Sequence, residues 1–185
     1  ESKKKKSTPG AFVRVAMAPD GRHAVTNGDG YEVQVYDAAT GEARKVIHRS
    51  DPKLGGYSHV EWSPDSSIIA ATSGGVKNTD RGVYLLTIDG AIVQKFGDAA
   101  PAASFGAHGK RLIVSPKTTI MGKRNAYDIY DVATGKLLQT ILHSPGKGTL
   151  SPDGKLVAVV SGQVDAFSLW NADTATLVTI LPDFE

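Results

Sequence analysis

Cysteine is absent from this chain of 185 residues, which excludes both disulfides and thiolate metal sites. The absence of disulfides favours a reducing compartment, so the cytoplasm is the expected location. No run approaches the ~18 consecutive apolar residues that a membrane span requires. The basic N-terminus has no apolar stretch after it, so neither a membrane partner nor a secretory signal peptide is predicted.

The chain also has little excess charge. Its net charge of +2 is too small to favour nucleic acid as a partner. Four lysines stand together at positions 3–6, in a segment without apolar periodicity. We expect residues 1–11 to form a basic, disordered linker or tail. The alternative is a polybasic arm for anionic lipid or nucleic acid, but the aromatic residues that would support it are missing.

Helical periodicity is missing as well, and a repeated turn takes its place. The turns centre on residues 19, 64, 107 and 152, at intervals of 45, 43 and 45 residues. Three of them share one pattern and the third in order is a degraded copy. The four segments are Ala18-Pro19-Asp20-Gly21, Ser63-Pro64-Asp65-Ser66, Phe105-Gly106-Ala107-His108-Gly109 and Ser151-Pro152-Asp153-Gly154.

Each repeat contains four short strands joined by tight turns. In the first repeat, alternating apolar residues predict strands at residues 12–18, 22–26, 31–36 and 44–48. Four-stranded meanders that recur at this period are typical of propeller blades. The predicted fold class is all-β: β-propeller blades in four repeats of four antiparallel strands. The expected blades are residues 12–49, 57–97, 102–143 and 147–182.

The turns resemble those of the WD40-like β-propeller family. A Ser-Pro-Asp-Gly turn joins the first and second strands, and an aromatic-Asp-x-x-Thr-Gly turn follows the third strand at residues 36–41 and 130–135. The resemblance covers residues 12–181 and implies blades without specifying a function. No Gly-His pair opens a repeat, and Trp170 is followed by Asn171 rather than Asp. We therefore expect the Asp-His-Ser-Trp network of strict members to be missing. Degenerate, bacterial-type WD40-like repeats and the repeats of sugar-lactone-cleaving propellers fit equally well.

The resemblance implies that such rings close with roughly seven or eight blades. This chain has only four repeats. The two end blades would then each leave an apolar face in water, which is unfavourable. Three arrangements would cover these faces. Further blades could come from the same or another chain, two copies could close an eight-bladed ring as a homodimer, or the four blades could tighten into a small ring.

One rim of the predicted propeller is more basic than the other. The loops that join second to third strands, and fourth strands to the next first strands, share this rim, and aspartates offset their charge only in part. Ordinary solvated lysines would explain the pattern. The functional interpretation is a mildly positive face that binds an acidic peptide or loop of a protein partner. The candidate partner-binding residues are Arg49, Lys53, Lys77, Arg81, Lys117, Lys123, Arg124 and Lys147.

The other candidate residues point away from catalysis. The chain has no Gly-x-Ser-x-Gly elbow, phosphate-binding glycine loop or His-Glu-x-x-His motif. His48 and His143 end matching strands, but Gly97 and Pro182 hold the equivalent places, so neither a metal nor another cofactor is predicted. We expect the recurring aromatic residues to pack between blades; they are Tyr36, Trp62, Phe105, Tyr130 and Trp170.

The sequence therefore predicts a non-catalytic protein-interaction scaffold that binds through its rim loops and channel mouth. Two alternatives remain open. One is a fragment of a propeller enzyme, either a lactonase-like hydrolase or an oxidoreductase. The other is a structural arc that completes a ring with another chain.

Overall fold

Each repeat folds into one four-stranded antiparallel sheet, which we call a blade. The computed structural model describes residues 14–28, 32–48, 57–73, 82–96, 102–115, 125–143, 146–161 and 167–181. In every sheet the strands are hydrogen-bonded in sequence order. Blade 1 contains β1 (Val15–Met17), β2 (His23–Gly28), β3 (Glu32–Asp37) and β4 (Ala43–His48). Blade 2 contains β5 (Tyr57–Trp62), β6 (Ile68–Ser73), β7 (Gly82–Thr87) and β8 (Ile92–Phe96).

Blade 3 contains β9 (Ala102–Gly106), β10 (Arg111–Ser115), β11 (Asn125–Asp131) and β12 (Leu137–His143). Blade 4 contains β13 (Gly146–Leu150), β14 (Leu156–Ser161), β15 (Phe167–Asn171) and β16 (Leu177–Leu181). The all-β prediction with four strands in each repeat is confirmed. The expected linker at residues 1–11 lies outside the described residues. Within the part of the chain that the structure describes, no helix has the length and apolarity needed to cross a bilayer.

The Ser-Pro-Asp turn is held by its own side chains. In blade 4 the Ser151 hydroxyl donates to Asp153 Oδ1 at 2.6 Å and accepts from the Leu156 backbone N–H at 3.0 Å. The fourth turn position has a positive φ, 72° at Gly21 and 74° at Gly154. Ser66 adopts the same conformation with φ of 63°, so the turn geometry persists where glycine is replaced.

The degraded third turn has a different backbone. Ala107–Gly109 form a single turn of 3₁₀ helix, closed by the Lys110 N–H donating to the Ala107 carbonyl at 3.1 Å. Both Ala107 and His108 have positive φ, at 50° and 54°. The His108 N–H also donates to the Pro152 carbonyl at 3.1 Å, so this turn is held against the corresponding turn of blade 4.

The turn carboxylates make stability depend on acid pH. The Ser63 hydroxyl lowers the pKa of Asp65 below 3.8, and the Ser151 hydroxyl does the same for the pKa of Asp153. A pKa that is lower in the folded state stabilises the fold fully above 3.8, and this contribution is lost as the pH falls through the folded value. We expect a double variant, Asp65→Asn with Asp153→Asn, to show a shallower decline in melting temperature between about pH 5 and pH 2.

Neutralising Glu42, an exposed carboxylate outside these serine turns, is the control for that experiment. We expect Glu42→Gln to keep the acid dependence of the unaltered chain. Parallel pH curves for the double variant and the unaltered chain would contradict a stabilising role of the two turns.

Three apolar cores hold consecutive blades together. The first joins blades 1 and 2 around residues such as Val35 and Ile69, the second joins blades 2 and 3 around Leu85 and Leu112, and the third joins blades 3 and 4 around Tyr127. In blades 2 and 3, alternation places one face of the sheet in one core and the other face in the next. Apolar burial in this fold therefore comes from contact between blades.

Four of the five recurring aromatic residues pack as predicted. Trp62 and Phe105 are buried in the first and second cores, while Tyr130 and Trp170 pack against the second and third. The prediction is wrong for Tyr36, which is half-buried and belongs to none of these cores. Tyr36 pairs across the sheet with Ala24 and lies on the face of blade 1 that points away from blade 2. The reason is that the described residues place no blade before blade 1.

Candidate functional site

The first strands of the four blades line an open cavity of about 580 Å³, which we call the axial cavity. These strands are innermost, because β1 contacts β5, β5 contacts β9 and β9 contacts β13. The lining residues are Arg14, Ser58, His59, Glu61, Ala102, Ala103, Ser104, Lys147, Gly148, Thr149, Ala158 and Val160. Most of them stand near the beginning of a first strand, so the cavity lies at the rim predicted to carry the longer loops.

Charges on the cavity wall leave the opening basic. Val60 and Trp62 point into the first core, so the intervening Glu61 points to the cavity. The Glu61 carboxylate accepts a hydrogen bond from the Phe105 N–H at 3.2 Å, and it lies 3.8 Å from His59 Nε2. It is therefore held against the wall between blades 2 and 3. Two exposed cations complete the lining, at positions Arg14 and Lys147.

Of the eight candidate partner-binding residues, Lys147 is the one that the structure describes. It lies within β13 rather than in the loop before it, because the preceding residue, Gly146, already pairs with Ser161. Its exposed side chain lines the axial cavity. Outside the described residues lie Arg49, Lys53, Lys77, Arg81, Lys117, Lys123 and Arg124.

Sequence reasoning missed five other polar residues of the cavity, which are Arg14, Ser58, Glu61, Ser104 and Thr149. Each stands next to an apolar residue of a first strand. In an alternating pattern, such a polar residue is interpreted as facing solvent and not as part of a site. The sequence did contain a signal for these residues. First strands are innermost in a propeller, so the polar residues near their beginnings converge on the axis. Thr149 illustrates this convergence, since its hydroxyl lies 3.0 Å from the Ser104 hydroxyl of the neighbouring blade.

A part-buried polar network of three residues, which the sequence did not predict, joins blades 3 and 4. The Trp170 indole N–H donates to Ser168 Oγ at 2.8 Å, and Ser168 Oγ lies 3.1 Å from His143 Nε2. The His143 and Trp170 rings meet edge to face, with centroids 5.6 Å apart. His143 thus has a structural role between blades, while the side chain of its counterpart His48 lies outside the described residues.

Several of the carboxylates that the structure describes are held in turns. Asp65 and Asp131 line a second cavity of about 440 Å³ between blades 2 and 3. Each accepts a hydroxyl hydrogen bond from its own turn at 2.6 Å, from Ser63 and Thr134 respectively. Among the described residues, no three His, Asp or Glu side chains cluster closely enough to hold a metal ion.

No protein-family model and no curated protein matches the chain. Among solved structures, 944 chains match it, so the fold by itself does not single out a function. One of them is the hydrazine synthase of Kuenenia stuttgartiensis, which matches with a TM-score of 0.70 and 18% sequence identity. The match covers 91% of this chain but only 62% of that one, so the chain spans less than two thirds of its neighbour. At this identity the likeness shows a shared β-propeller fold alone.

Proposed function

We propose that the chain is a non-catalytic β-propeller module, similar to WD40-like scaffolds, that binds an acidic segment of a protein partner at the axial cavity. The observation that carries this proposal is the position of Lys147 in the lining of that cavity, at the rim where the sequence places its basic loops. A cytoplasmic location and the absence of catalysis remain predictions of the same interpretation.

The shape and chemistry of the cavity favour a peptide rather than a compact ligand. Its wall mixes hydroxyls from Ser58, Ser104 and Thr149 with the small apolar side chains of two strands, β9 and β14. Arg14 directly precedes β1 of the first blade and Lys147 lies on β13 of the last blade, so their charges reach the cavity from opposite ends of the arc. A segment with carboxylates could engage both cations, while its backbone could bond to the hydroxyls.

A charge-reversal experiment tests the proposed binding site. We expect a fluorescein-labelled oligoglutamate peptide to bind the chain, and Lys147→Glu to weaken this binding about tenfold or more at low salt. Fluorescence anisotropy measures both, with an oligolysine peptide as the probe of opposite charge. Added salt should weaken the binding of the unaltered chain.

Lys155→Glu is the matched control, because Lys155 is an exposed lysine of the same blade in the turn at the other end of the sheet. It changes the net charge equally without touching the cavity. Equal effects of the two reversals would show that the peptide senses net charge only, and the proposal would fail. Stoichiometric calcium or iron found by elemental analysis of the purified chain would instead favour the enzyme alternative.

A further inference from the structure

Each blade has two different faces. We call the face that packs on the following blade the outgoing face, and the face that packs on the preceding blade the receiving face. The three cores use the outgoing faces of blades 1 to 3 and the receiving faces of blades 2 to 4. Among the described residues, no core covers the outgoing face of blade 4 or the receiving face of blade 1.

Blade 3 shows how an outgoing face can meet its neighbour through polar side chains. Its second strand offers Arg111 and Ser115 to blade 4. The Arg111 guanidinium donates to the Gly154 carbonyl at 3.1 Å and lies 2.7 Å from the Asp173 carboxylate. Ser115 Oγ accepts a hydrogen bond from the Gly148 N–H at 3.3 Å. The outgoing face of blade 3 is therefore joined to blade 4 by polar side chains as well as by apolar packing.

The outgoing face of blade 4 replaces these polar residues with aliphatic ones. Leu156 stands at the place of Arg111, and Val160 at the place of Ser115, each at the same distance from its turn. Cross-strand pairing adds Leu169 and Phe167, opposite Ala158 and Val160. Val160 is 57% exposed, whereas the equivalent residues of the other blades are almost fully buried; they are Asn27, Thr72 and Ser115.

The receiving face of blade 1 carries the pattern of a buried receiving face but is exposed. Met17 is 56% exposed, while its equivalents in the next three blades are at most 7% exposed; they are Trp62, Phe105 and Leu150. The Tyr36 hydroxyl donates to Gln34 Oε1 at 2.9 Å. This pair repeats the bonded pair of Trp170 and Ser168 on the receiving face of blade 4.

We propose that the outgoing face of blade 4 packs on the receiving face of blade 1 in a second copy of this chain. One copy supplies one face of each kind, so two copies that pack head to tail satisfy all four exposed faces about a two-fold axis. The contact continues the three existing interfaces, and two sets of four blades form a ring of eight, within the size range of propellers. This proposal is argued from the blade packing and not from the proposed binding function, although Val160 also lines the axial cavity.

The existing interfaces predict which residues meet. Ser115 contacts Gly148 across the third interface, and Gly148 stands three residues before its turn, as Val15 does in blade 1. Val160 should therefore face Val15 of the second copy. Val15 is 69% exposed in the single chain, so both valines would become buried by the same contact. A pair of valines suits an interface that has lost its polar bridge at this place.

Mass measurement in solution tests the proposal. We expect sedimentation equilibrium of the full chain at micromolar concentration to give twice the 19.5 kDa mass of one copy. Val160→Lys should weaken this dimer about tenfold or more, because it places a charge in an apolar contact. Val93→Lys is the matched control. Val93 is 55% exposed on β8, the outermost strand of blade 2, so it belongs neither to the outgoing face of blade 4 nor to the receiving face of blade 1.

A reciprocal variant keeps the test decisive if a single substitution perturbs folding. Combining Val160→Lys with Val15→Asp on one chain places opposite charges together at both contacts, and we expect the dimer to return. A chain that is monomeric at every concentration, or one that dimerises equally well with Val160→Lys, would overturn the proposal. So would a monomer whose end faces become protected only when further repeats are fused to it, because the occupant would then be additional blades.

Discussion

Gly106→Ala is expected to lower the free energy of unfolding by about 2–3 kcal/mol, because no space exists for a methyl group between blades 3 and 4. A Cβ at this position would lie 2.5 Å from Leu150 Cβ and 3.0 Å from the Ser151 carbonyl oxygen. Both of these atoms are fixed by the backbone of blade 4, so the two blades would have to separate. The backbone at Gly106 is extended, with φ of −147°, so alanine itself causes no conformational strain.

Urea denaturation and thermal unfolding measure this effect, and we expect a fall in melting temperature of about 5–10 °C. Gly21→Ala is the control. Gly21 has φ of 72° and open space around its missing side chain, so its substitution costs only the backbone strain of about 1–2 kcal/mol. If the two substitutions were equally mild, the close approach of blades 3 and 4 would be wrong.

The fold was predictable because the signals that define a blade are local. The Ser-Pro-Asp turn is stabilised by atoms within five residues, as the bond from Leu156 N–H to Ser151 Oγ shows. Such a turn is stabilised by its own residues and therefore forms wherever its sequence occurs in the chain. Strand alternation is equally local, so the sequence predicts both the turns and the number of strands without knowledge of the neighbouring blades.

Features that depend on contact between blades could not be predicted in the same way. The network of Ser168 and His143 joins residues 25 positions apart, and its members lie on different sheets. Tyr130 and Trp170 pack against the second and third cores, whereas Tyr36, which holds the same place in the third strand of blade 1, belongs to none of the three cores. This difference depends on whether a blade packs against the receiving face, which the alternation of one sheet does not encode.

The candidate site was predictable only in its location. The sequence placed a basic rim at one end of the blades, and the structure brings Lys147 to the axial cavity at that end. Glu61 was missed because the alternation of one strand does not show that its polar face meets the axis, and only the innermost position of first strands indicates this. The remaining basic rim residues lie outside the described part of the chain, so their role stays a prediction.

Within one copy, stability should be divided among the interfaces, because each blade packs there only against its neighbours in the chain. In repeat proteins of this kind, the loss of one interface releases the unit beyond it before the others unfold. Blade 1 is the most informative case, since the first core is its only apolar core among the described residues. A substitution in that core should therefore act locally.

Trp62→Ala is expected to release blade 1 and to lower the free energy of unfolding of the first interface by about 3–5 kcal/mol. The Trp62 side chain is buried in the first core, and its indole N–H donates to the Ala16 carbonyl of blade 1 at 3.1 Å. Its ring also lies 6.2 Å from the ring of His23. Alanine would leave a cavity between the two sheets and remove the hydrogen bond of the indole.

Hydrogen exchange followed by mass spectrometry separates a local from a global effect. We expect the amides of β2 and β3 to lose protection in Trp62→Ala, while those of β10 and β14 keep theirs. Trp62→Phe retains most of the apolar volume and removes the hydrogen bond, so its cost should be nearer ~1–2 kcal/mol. Equal loss of protection in all four blades would mean that the arc unfolds as one cooperative unit, because release of blade 1 alone leaves the second and third cores intact.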